Sequence, residues 1–277
     1  MAATNHLFSP RDAGEAAEIL GACSRLREAG RAVTAGVVES PFRPAADVAL
    51  PVPATSGSPV SSLHASGEAI VYLDHASMAA IHEVSTSDFL AVAGGGATLA
   101  GVLEAARGAG LSFPHEPDFL SRDATVAEIV MDGSVFRTEG RFGGLREYIL
   151  GLEIATPAGE IVRTGSRSVK DVTGYDVAGL LMGSGGRCGM IARATLRLLP
   201  ARGTRFRFAC GGDAASVERF ASSVHAALDA AFLEVYEDEA ARLLAERFRE
   251  APGAECRESS ALLVGELWGN AMPWLGP

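Results

Sequence analysis

The fold is decided by the segment Leu150–Pro200, which reads LGLEIATPAGEIVRTGSRSVKDVTGYDVAGLLMGSGGRCGMIARATLRLLP. Its first part predicts a β-hairpin, because the strand patterns Tyr148–Thr156 and Glu160–Arg163 flank Pro157-Ala158-Gly159. Proline fixes one backbone angle of such a turn, and glycine supplies the other. A further strand is predicted over Gly189–Leu199, where apolar residues alternate. The segment therefore combines a hairpin, a glycine-rich turn and a third strand.

Four glycines lie in that turn, at positions 183, 185, 186 and 189. Because glycine has no Cβ, its backbone can approach a flat ligand closely. The strand that opens at Gly189-Met190-Ile191 would add backbone donors and acceptors for the edge of a heterocycle. The alternative is an ordinary glycine-rich turn between a buried helix and a strand.

These features resemble the FAD-linked oxidase family, whose flavin domain is named after p-cresol methylhydroxylase. The matching residues are Pro157-Ala158-Gly159, Lys170–Asp176, Gly183–Gly186, Gly189-Met190-Ile191 and Leu196-Arg197-Leu198. The resemblance implies an α+β fold in two parts. A two-lobed p-cresol-methylhydroxylase-type FAD-binding domain would cover residues 1–202, and a short, truncated, cap-like lobe would cover residues 203–277.

The upstream part of the chain resembles the same family more loosely. The matching segments are Ala93-Gly94-Gly95, Gly110–Pro114, Asp123–Val126 and Gly143–Tyr148. His115-Glu116-Pro117 follows where the small FAD-binding subunit of glycolate oxidase has a similar stretch. The likeness covers residues 10–200, tightly from residue 143 onward, and is greatest to that small subunit.

The resemblance implies FAD as the cofactor. Its binding would be non-covalent, because the first loop lacks the histidine to which covalent relatives attach their flavin. Lys170 would either neutralise part of the pyrophosphate or hold its segment near the flavin, and Asp176 is a candidate N-cap for a helix over Val177–Met182. The resemblance assigns no catalytic residue. The residues that it places against FAD are Gly36, Pro114, Ala124, Thr125, Val126, Met131, Lys170, Gly174, Tyr175, Gly185, Gly189, Met190 and Ile191.

Two phosphate-binding loops depart from the family pattern. The first, at Thr34–Ser40, keeps one glycine and carries Glu39. The second, at Thr125–Gly133, has Ala127-Glu128 in place of a glycine pair. Two acidic side chains facing a pyrophosphate would repel it by about 1 kcal/mol each if solvated. The loss of glycines and the gain of acidic residues in these loops leave a second hypothesis open, in which the chain no longer binds FAD and serves as a structural subunit.

Composition limits the partners and the chemistry. A total of 24 basic against 34 acidic residues gives a formal charge of −10, which argues against nucleic acid as a ligand. The spacing of the four cysteines suits neither an iron–sulfur cluster nor a structural zinc, so any iron–sulfur carrier would be another chain. The cysteines are Cys23, Cys188, Cys210 and Cys256, and the histidines expected to be structural are His82, His115 and His225.

The sequence shows no signal peptide and no apolar run of ~18 residues. We therefore expect a cytoplasmic protein that reaches the inner face of a membrane only through partner subunits.

Periodicity predicts the remaining elements. Ser9 is expected to cap a helix that Gly30 ends, and Val37–Glu68 is expected to be irregular. The further predictions before Pro200 are strands over Arg31–Gly36, Ala69–Asp74 and Phe89–Ala93 and a helix over Thr98–Ala109. After Pro200, strands over Arg205–Ala209, Phe232–Tyr236 and Ala261–Trp268 alternate with helices over Ala214–Ala230 and Glu237–Glu250. That alternation predicts a separate small α+β lobe.

The leading functional hypothesis is an FAD-binding subunit of a glycolate-oxidase-like complex that oxidises 2-hydroxyacids. The expected partners are a larger homologous FAD subunit and an iron–sulfur subunit. The alternative is the non-catalytic structural subunit. A UDP-sugar reductase of related fold is a third, weaker possibility, because its serine and glutamate pattern is absent here.

Overall fold

The computed structural model describes residues 4–37, 69–115, 123–165, 176–201, 203, 205–228, 230–247 and 260–268. The chain divides into two units, Met1–Phe136 with Gly144–Pro200 and Arg137–Gly143 with Ala201–Pro277. The predicted irregular segment beyond Val37 lies outside the described residues.

The elements are numbered here in chain order. The strands are β1 (Thr4–Phe8), β2 (Val33–Val37), β3 (Ala69–Leu73), β4 (Ile81–Ser85), β5 (Leu90–Gly94), β6 (Leu111–Ser112), β7 (Ile149–Ala155), β8 (Ile161–Gly165), β9 (Met190–Arg197), β10 (Leu199–Pro200), β11 (Arg205–Gly212), β12 (Ala230–Glu237) and β13 (Ala261–Trp268). The helices are α1 (Ala13–Glu28), α2 (Leu99–Gly108), α3 (Val126–Met131), α4 (Glu139–Phe142), α5 (Val177–Leu181), α6 (Ala214–Ala227) and α7 (Asp238–Arg247). Short 3-10 turns lie at Ala76–Met78 and Leu145–Tyr148.

The first sheet of unit 1 is parallel, with the order β1-β3-β2. Helix α1 buries Ile19 and Cys23 in one core with Val71 of this sheet. The same core contains Ala155 and Met190, which belong to β7 and β9 of a second sheet. Helix α1 therefore joins the two sheets of unit 1 through its apolar side chains.

The start of α1 differs from the prediction. Asp12, not Ser9, is the N-cap, and its side chain accepts a hydrogen bond of 2.9 Å from the Glu15 N–H. The helix begins late because β1 runs through Phe8, so the chain must first leave that strand. Strand β1 was not predicted, since a five-residue strand that begins with polar residues has little periodic signal.

The second sheet is antiparallel, with the order β4-β5-β9-β7-β8. The predicted hairpin is confirmed as β7 and β8, with Gly159 in the left-handed region at φ +84°. Helix α2 is confirmed as well, because Thr98 caps it and Gly110 follows its end at φ +70°. Strand β4 was not predicted.

Unit 2 contains a three-stranded antiparallel sheet with the order β11-β13-β12. Every residue of the central strand β13 is buried. Helix α6 packs Val217 against Leu263, and α7 packs Ala241 against Leu262 and Val264, so the helices cover opposite faces. Helix α6 is shorter than predicted, because Ala230 already belongs to β12.

The segment Arg137–Gly143 belongs to unit 2 although both of its chain neighbours belong to unit 1. The Arg137 guanidinium lies 3.1 Å from the Glu234 carboxylate and donates to the Tyr236 hydroxyl at 3.1 Å. Phe142 packs on Trp268 with ring centroids 4.9 Å apart. No pattern in the sequence predicted this segment of unit 2. The interpretation of residues 203–277 as a cap-like lobe stays a prediction.

The turn Gly94-Gly95-Gly96 connects several elements of unit 1 at close range. A Cβ at Gly94 would lie 2.1 Å from the Met78 carbonyl oxygen, and one at Gly95 would lie 2.1 Å from the Ile191 carbonyl oxygen. A Cβ at Gly96 would lie 2.0 Å from the carbonyl oxygen of His75. Only glycine fits at these positions, because the obstructing atoms are backbone.

We predict that Gly95→Ala destabilises the protein by about 2 kcal/mol or more, because the methyl group must displace the backbone of β9. Gly108→Ala is the matched control, since Gly108 ends α2 with open space around its Cβ position. Alanine there should be neutral or stabilise by up to about 1 kcal/mol. Urea denaturation of both variants measures the difference, and equal stabilities would contradict the packing argument.

Candidate functional site

Three segments of unit 1 meet at the glycine loop, which we define as residues 183–189. A Cβ at Gly186 would lie 3.0 Å from the Cβ of Val37, at the end of β2, and 3.5 Å from the Met131 sulfur, at the end of α3. The Gly185 N–H donates to the Met131 carbonyl at 3.0 Å. Sequence analysis predicted three separate binding segments: the first phosphate loop, the second phosphate loop and the glycine-rich turn. The described end of the first loop, the end of the second loop and the turn lie close together in the structure.

Two glycines of this loop leave open space beside the backbone. Gly183 and Gly185 are exposed, adopt φ +72° and +56°, and have no atom of the described residues within 4 Å of their Cβ positions. Gly36 at the end of β2 is equally open. A ligand could approach the backbone at these positions without a side chain in its way.

The other two glycines of the loop pack against the protein itself. Gly186 contacts Val37, as described above. A Cβ at Gly189 would lie 2.5 Å from the Ala155 carbonyl oxygen in β7. Valine at position 189 would therefore disrupt the sheet, so such a variant does not test ligand binding. The cofactor role of Gly189 stays a prediction.

Met190 and Ile191 begin strand β9 and are fully buried. They pair with Ala155 and Ile154 of β7, and the Met190 side chain lies in the core around α1. Any contact of these two residues with a cofactor would have to involve backbone atoms.

The backbone N–H groups at the start of α3 all donate to protein acceptors. The pairs are Thr125 N–H to the Glu128 carboxylate at 2.7 Å, Val126 N–H to the Ala97 carbonyl at 2.9 Å, Ala127 N–H to the Gly95 carbonyl at 2.9 Å and Glu128 N–H to the Thr125 hydroxyl at 3.2 Å. Thr125 and Glu128 thus form a capping box. The Glu128 carboxylate caps its own helix, and the expectation that it faces a phosphate stays a prediction. The roles of Thr125 and Val126 in binding a cofactor stay predictions.

Of the remaining predicted site residues, the structure describes Pro114 and Ala124. Pro114 is buried, and the Ala124 carbonyl accepts from the Leu99 N–H at 2.8 Å. Lys170, Gly174 and Tyr175 lie outside the described residues, as does Glu39 of the first loop.

Asp176 caps α5, as predicted. Its carboxylate accepts from the Gly179 N–H at 2.9 Å. It also accepts from Nε and Nη2 of Arg146 at 2.9 and 2.6 Å, while Nη1 of Arg146 donates to the Ile149 carbonyl at 3.2 Å. The Arg146 hydrogen bond and the Gly179 N–H hold the pKa of Asp176 below its ordinary value. The role of Arg146 was missed, because no local spacing connects residues 30 positions apart.

We predict that Asp176→Asn costs at most about 1 kcal/mol of stability, since asparagine keeps the cap and loses only an exposed ion pair. Asp176→Ala should cost about 1 kcal/mol more, because it loses the cap as well. The lowered pKa means that the charge contributes above pH 3.8 and stops contributing as the pH falls through the folded value. Urea midpoints at low and high salt measure both effects, and equal losses for the two variants would exclude a capping role.

His115 lies in a buried aromatic cluster. Its ring is 5.5 Å from that of Phe113, 4.9 Å from that of Phe136 and 4.7 Å from that of Tyr148. Burial lowers its pKa from 6.5 to about 4. His75 is also fully buried, and burial outweighs Asp74 and the Ile191 carbonyl in lowering its pKa to about 4. Both imidazoles are therefore neutral at pH 7.

We predict that stability falls as the pH drops from 6.5 towards 4, because the unfolded chain then binds protons that the folded protein does not. His115→Phe should reduce this slope by about 1.4 kcal/mol per pH unit, which corresponds to one proton. Urea denaturation at pH 7 and pH 5 measures the slope. His82→Phe, the same substitution at an exposed histidine, is the control.

None of the described helices is long and apolar enough to cross a membrane.

Comparison with known proteins identifies the class of this domain. Residues 45–165 match the family model described as an FAD binding domain. Together with the relatives below, this match supports the predicted resemblance to the FAD-linked oxidase family and supports FAD as the cofactor. Most of the matched residues lie before residue 143, where the family pattern in the sequence is looser.

Two relatives and one solved structure indicate how far the likeness extends. D-lactate dehydrogenase of Archaeoglobus fulgidus is 35% identical over 43% of this chain and 26% of its own length. Glycolate oxidase subunit GlcE of Escherichia coli is 32% identical over 38% of this chain and 30% of its own length. An alkyldihydroxyacetonephosphate synthase structure has a TM-score of 0.66 at 14% identity, covering 95% of this chain and 47% of that one, which shows a shared fold. The chain matches only 26–30% of the length of these two relatives.

Proposed function

We propose that the chain is an FAD-binding oxidoreductase subunit of a complex that oxidises 2-hydroxyacids. The observation that carries the proposal is the glycine loop. Gly183 and Gly185 face open space among the described residues in left-handed conformations, next to the end of β2, in a chain whose residues 45–165 match an FAD-binding family. A side chain at either position would fill that space, so the residues present fit a close-lying planar or phosphate-bearing ligand.

The chemistry that bound FAD supplies is acceptance of a hydride from the carbon that carries the hydroxyl group. The share of this chain is to bind the cofactor and to fix its orientation. Gly36, Gly183 and Gly185 would line it on one side with bare backbone. The core around α1 contains Met190 and Ala192 of β9, the strand that follows the glycine loop.

The substrate class and the partners follow from the names of the relatives. Lactate and glycolate are both 2-hydroxyacids, and GlcE is named as a subunit. We extend both features to this chain: a 2-hydroxyacid as substrate, and membership of a complex. A larger homologous FAD subunit that carries the substrate chemistry and an iron–sulfur subunit that accepts the electrons are the partners that the resemblance in the sequence implies.

A structural subunit without FAD is the second candidate. The occupied N–H groups at the start of α3 favour it, because that part of the second loop offers no free backbone donors. Purification of the full chain distinguishes the two candidates. Visible flavin absorption that is released on denaturation supports the FAD subunit, and a folded, colourless protein that binds no added FAD supports the structural subunit.

We predict that Gly183→Ala weakens FAD binding by about tenfold or more, because its methyl group enters the space that the ligand would occupy. Gly30→Ala is the matched control: Gly30 has φ +78° and an equally open Cβ position, but lies at the end of α1. Each variant should lose about 1 kcal/mol of stability from the left-handed backbone. Equal FAD affinity in both variants would refute the placement of the ligand at Gly183.

A further inference from the structure

The described backbone offers few free N–H groups to the phosphates of FAD. The N–H groups at the start of α3 are used by the capping box and by the carbonyls of Gly95 and Ala97. The N–H groups of the glycine loop are largely used as well. Their pairs are Gly183 to Val130, Ser184 to Leu181, Gly185 to Met131, Arg187 to Ser184 and Gly189 to Gly186.

The side chains on the same segments are mostly neutral or acidic. Glu128 is held in its cap, and Asp132 has a pKa that is raised by partial burial and by Glu128. Among the residues 33–37, 125–133 and 183–189, Arg187 is the single arginine or lysine. Two phosphate charges near Asp132 and Glu128 therefore need a compensating cation, and the glycine loop itself carries one.

Arg187 is suitably placed for this role. Its N–H closes a turn to the Ser184 carbonyl at 3.2 Å, which fixes its backbone next to Gly185 and Gly186. Gly186 in turn contacts Val37, the last described residue of the first phosphate loop. The Arg187 side chain is exposed and forms no ion pair with any residue that the structure describes.

We infer that Arg187 binds the diphosphate of the cofactor and compensates for the eroded phosphate loops. The inference rests on the proposed function. A guanidinium suits this task because its planar fork can donate two hydrogen bonds to phosphate oxygens and stays charged at all physiological pH values.

The test is the affinity of the full-length protein for FAD and for ADP, after removal of any bound flavin. Arg187→Gln should weaken both by at least about tenfold, which is the smallest effect typical of a charge-assisted hydrogen bond. Binding of the variant should also depend less on salt than binding of the parent protein. Arg187→Lys should recover part of the affinity, because it keeps the charge without the planar fork.

Arg193→Gln is the matched control, since Arg193 is exposed on β9 and its loss changes the net charge by the same amount. It should bind FAD like the parent protein. If Arg187→Gln and Arg193→Gln bind FAD and ADP with equal affinity, the role of Arg187 is overturned and the proposed function is not affected. A folded parent protein that binds neither ligand overturns the proposed function, and the inference with it.

Discussion

Unit 1 depends on the close backbone contact at Gly94-Gly95-Gly96. The carbonyl groups that follow β3 and those that begin β9 lie so near this turn that a single added carbon would collide with them. The same turn accepts the Ala127 N–H at the Gly95 carbonyl, which fixes the start of α3. One short turn therefore sets the relative positions of the parallel sheet, the antiparallel sheet and the helix that begins the second loop.

This contact also limits where a ligand can bind. A backbone N–H group has one hydrogen to donate, and those at the start of α3 are committed to holding the fold together. Among the described residues of these segments, Gly183 and Gly185 of the glycine loop leave bare backbone next to the end of β2. Under the proposed function, an anionic cofactor would therefore be recognised by side-chain charge rather than by helix amides.

Much of this architecture could be predicted from local sequence. The hairpin β7–β8 was readable because Pro157 and Gly159 supply the turn angles, and α2 because Thr98 and Gly110 mark its ends. The short strands β1 and β4 were not predicted, because five residues without clean alternation carry too little periodic signal. The segments predicted to bind FAD lie close together where they are described, but the sequence did not predict the atoms that each glycine contacts.

By itself, the sequence determined the family pattern, the turns and the capping of α5 by Asp176, since these depend on neighbouring residues and fixed spacings. Only the tertiary structure decided that Gly189 packs on Ala155 while Gly183 faces open space, and that Arg146 holds Asp176. It likewise decided that Arg137–Gly143 belongs to the second unit. The physical reason is that a glycine or a charged residue has the same local signature whether its partner is a ligand, a strand or water. Which of these it contacts depends on segments that lie far apart in the chain and meet only when it folds.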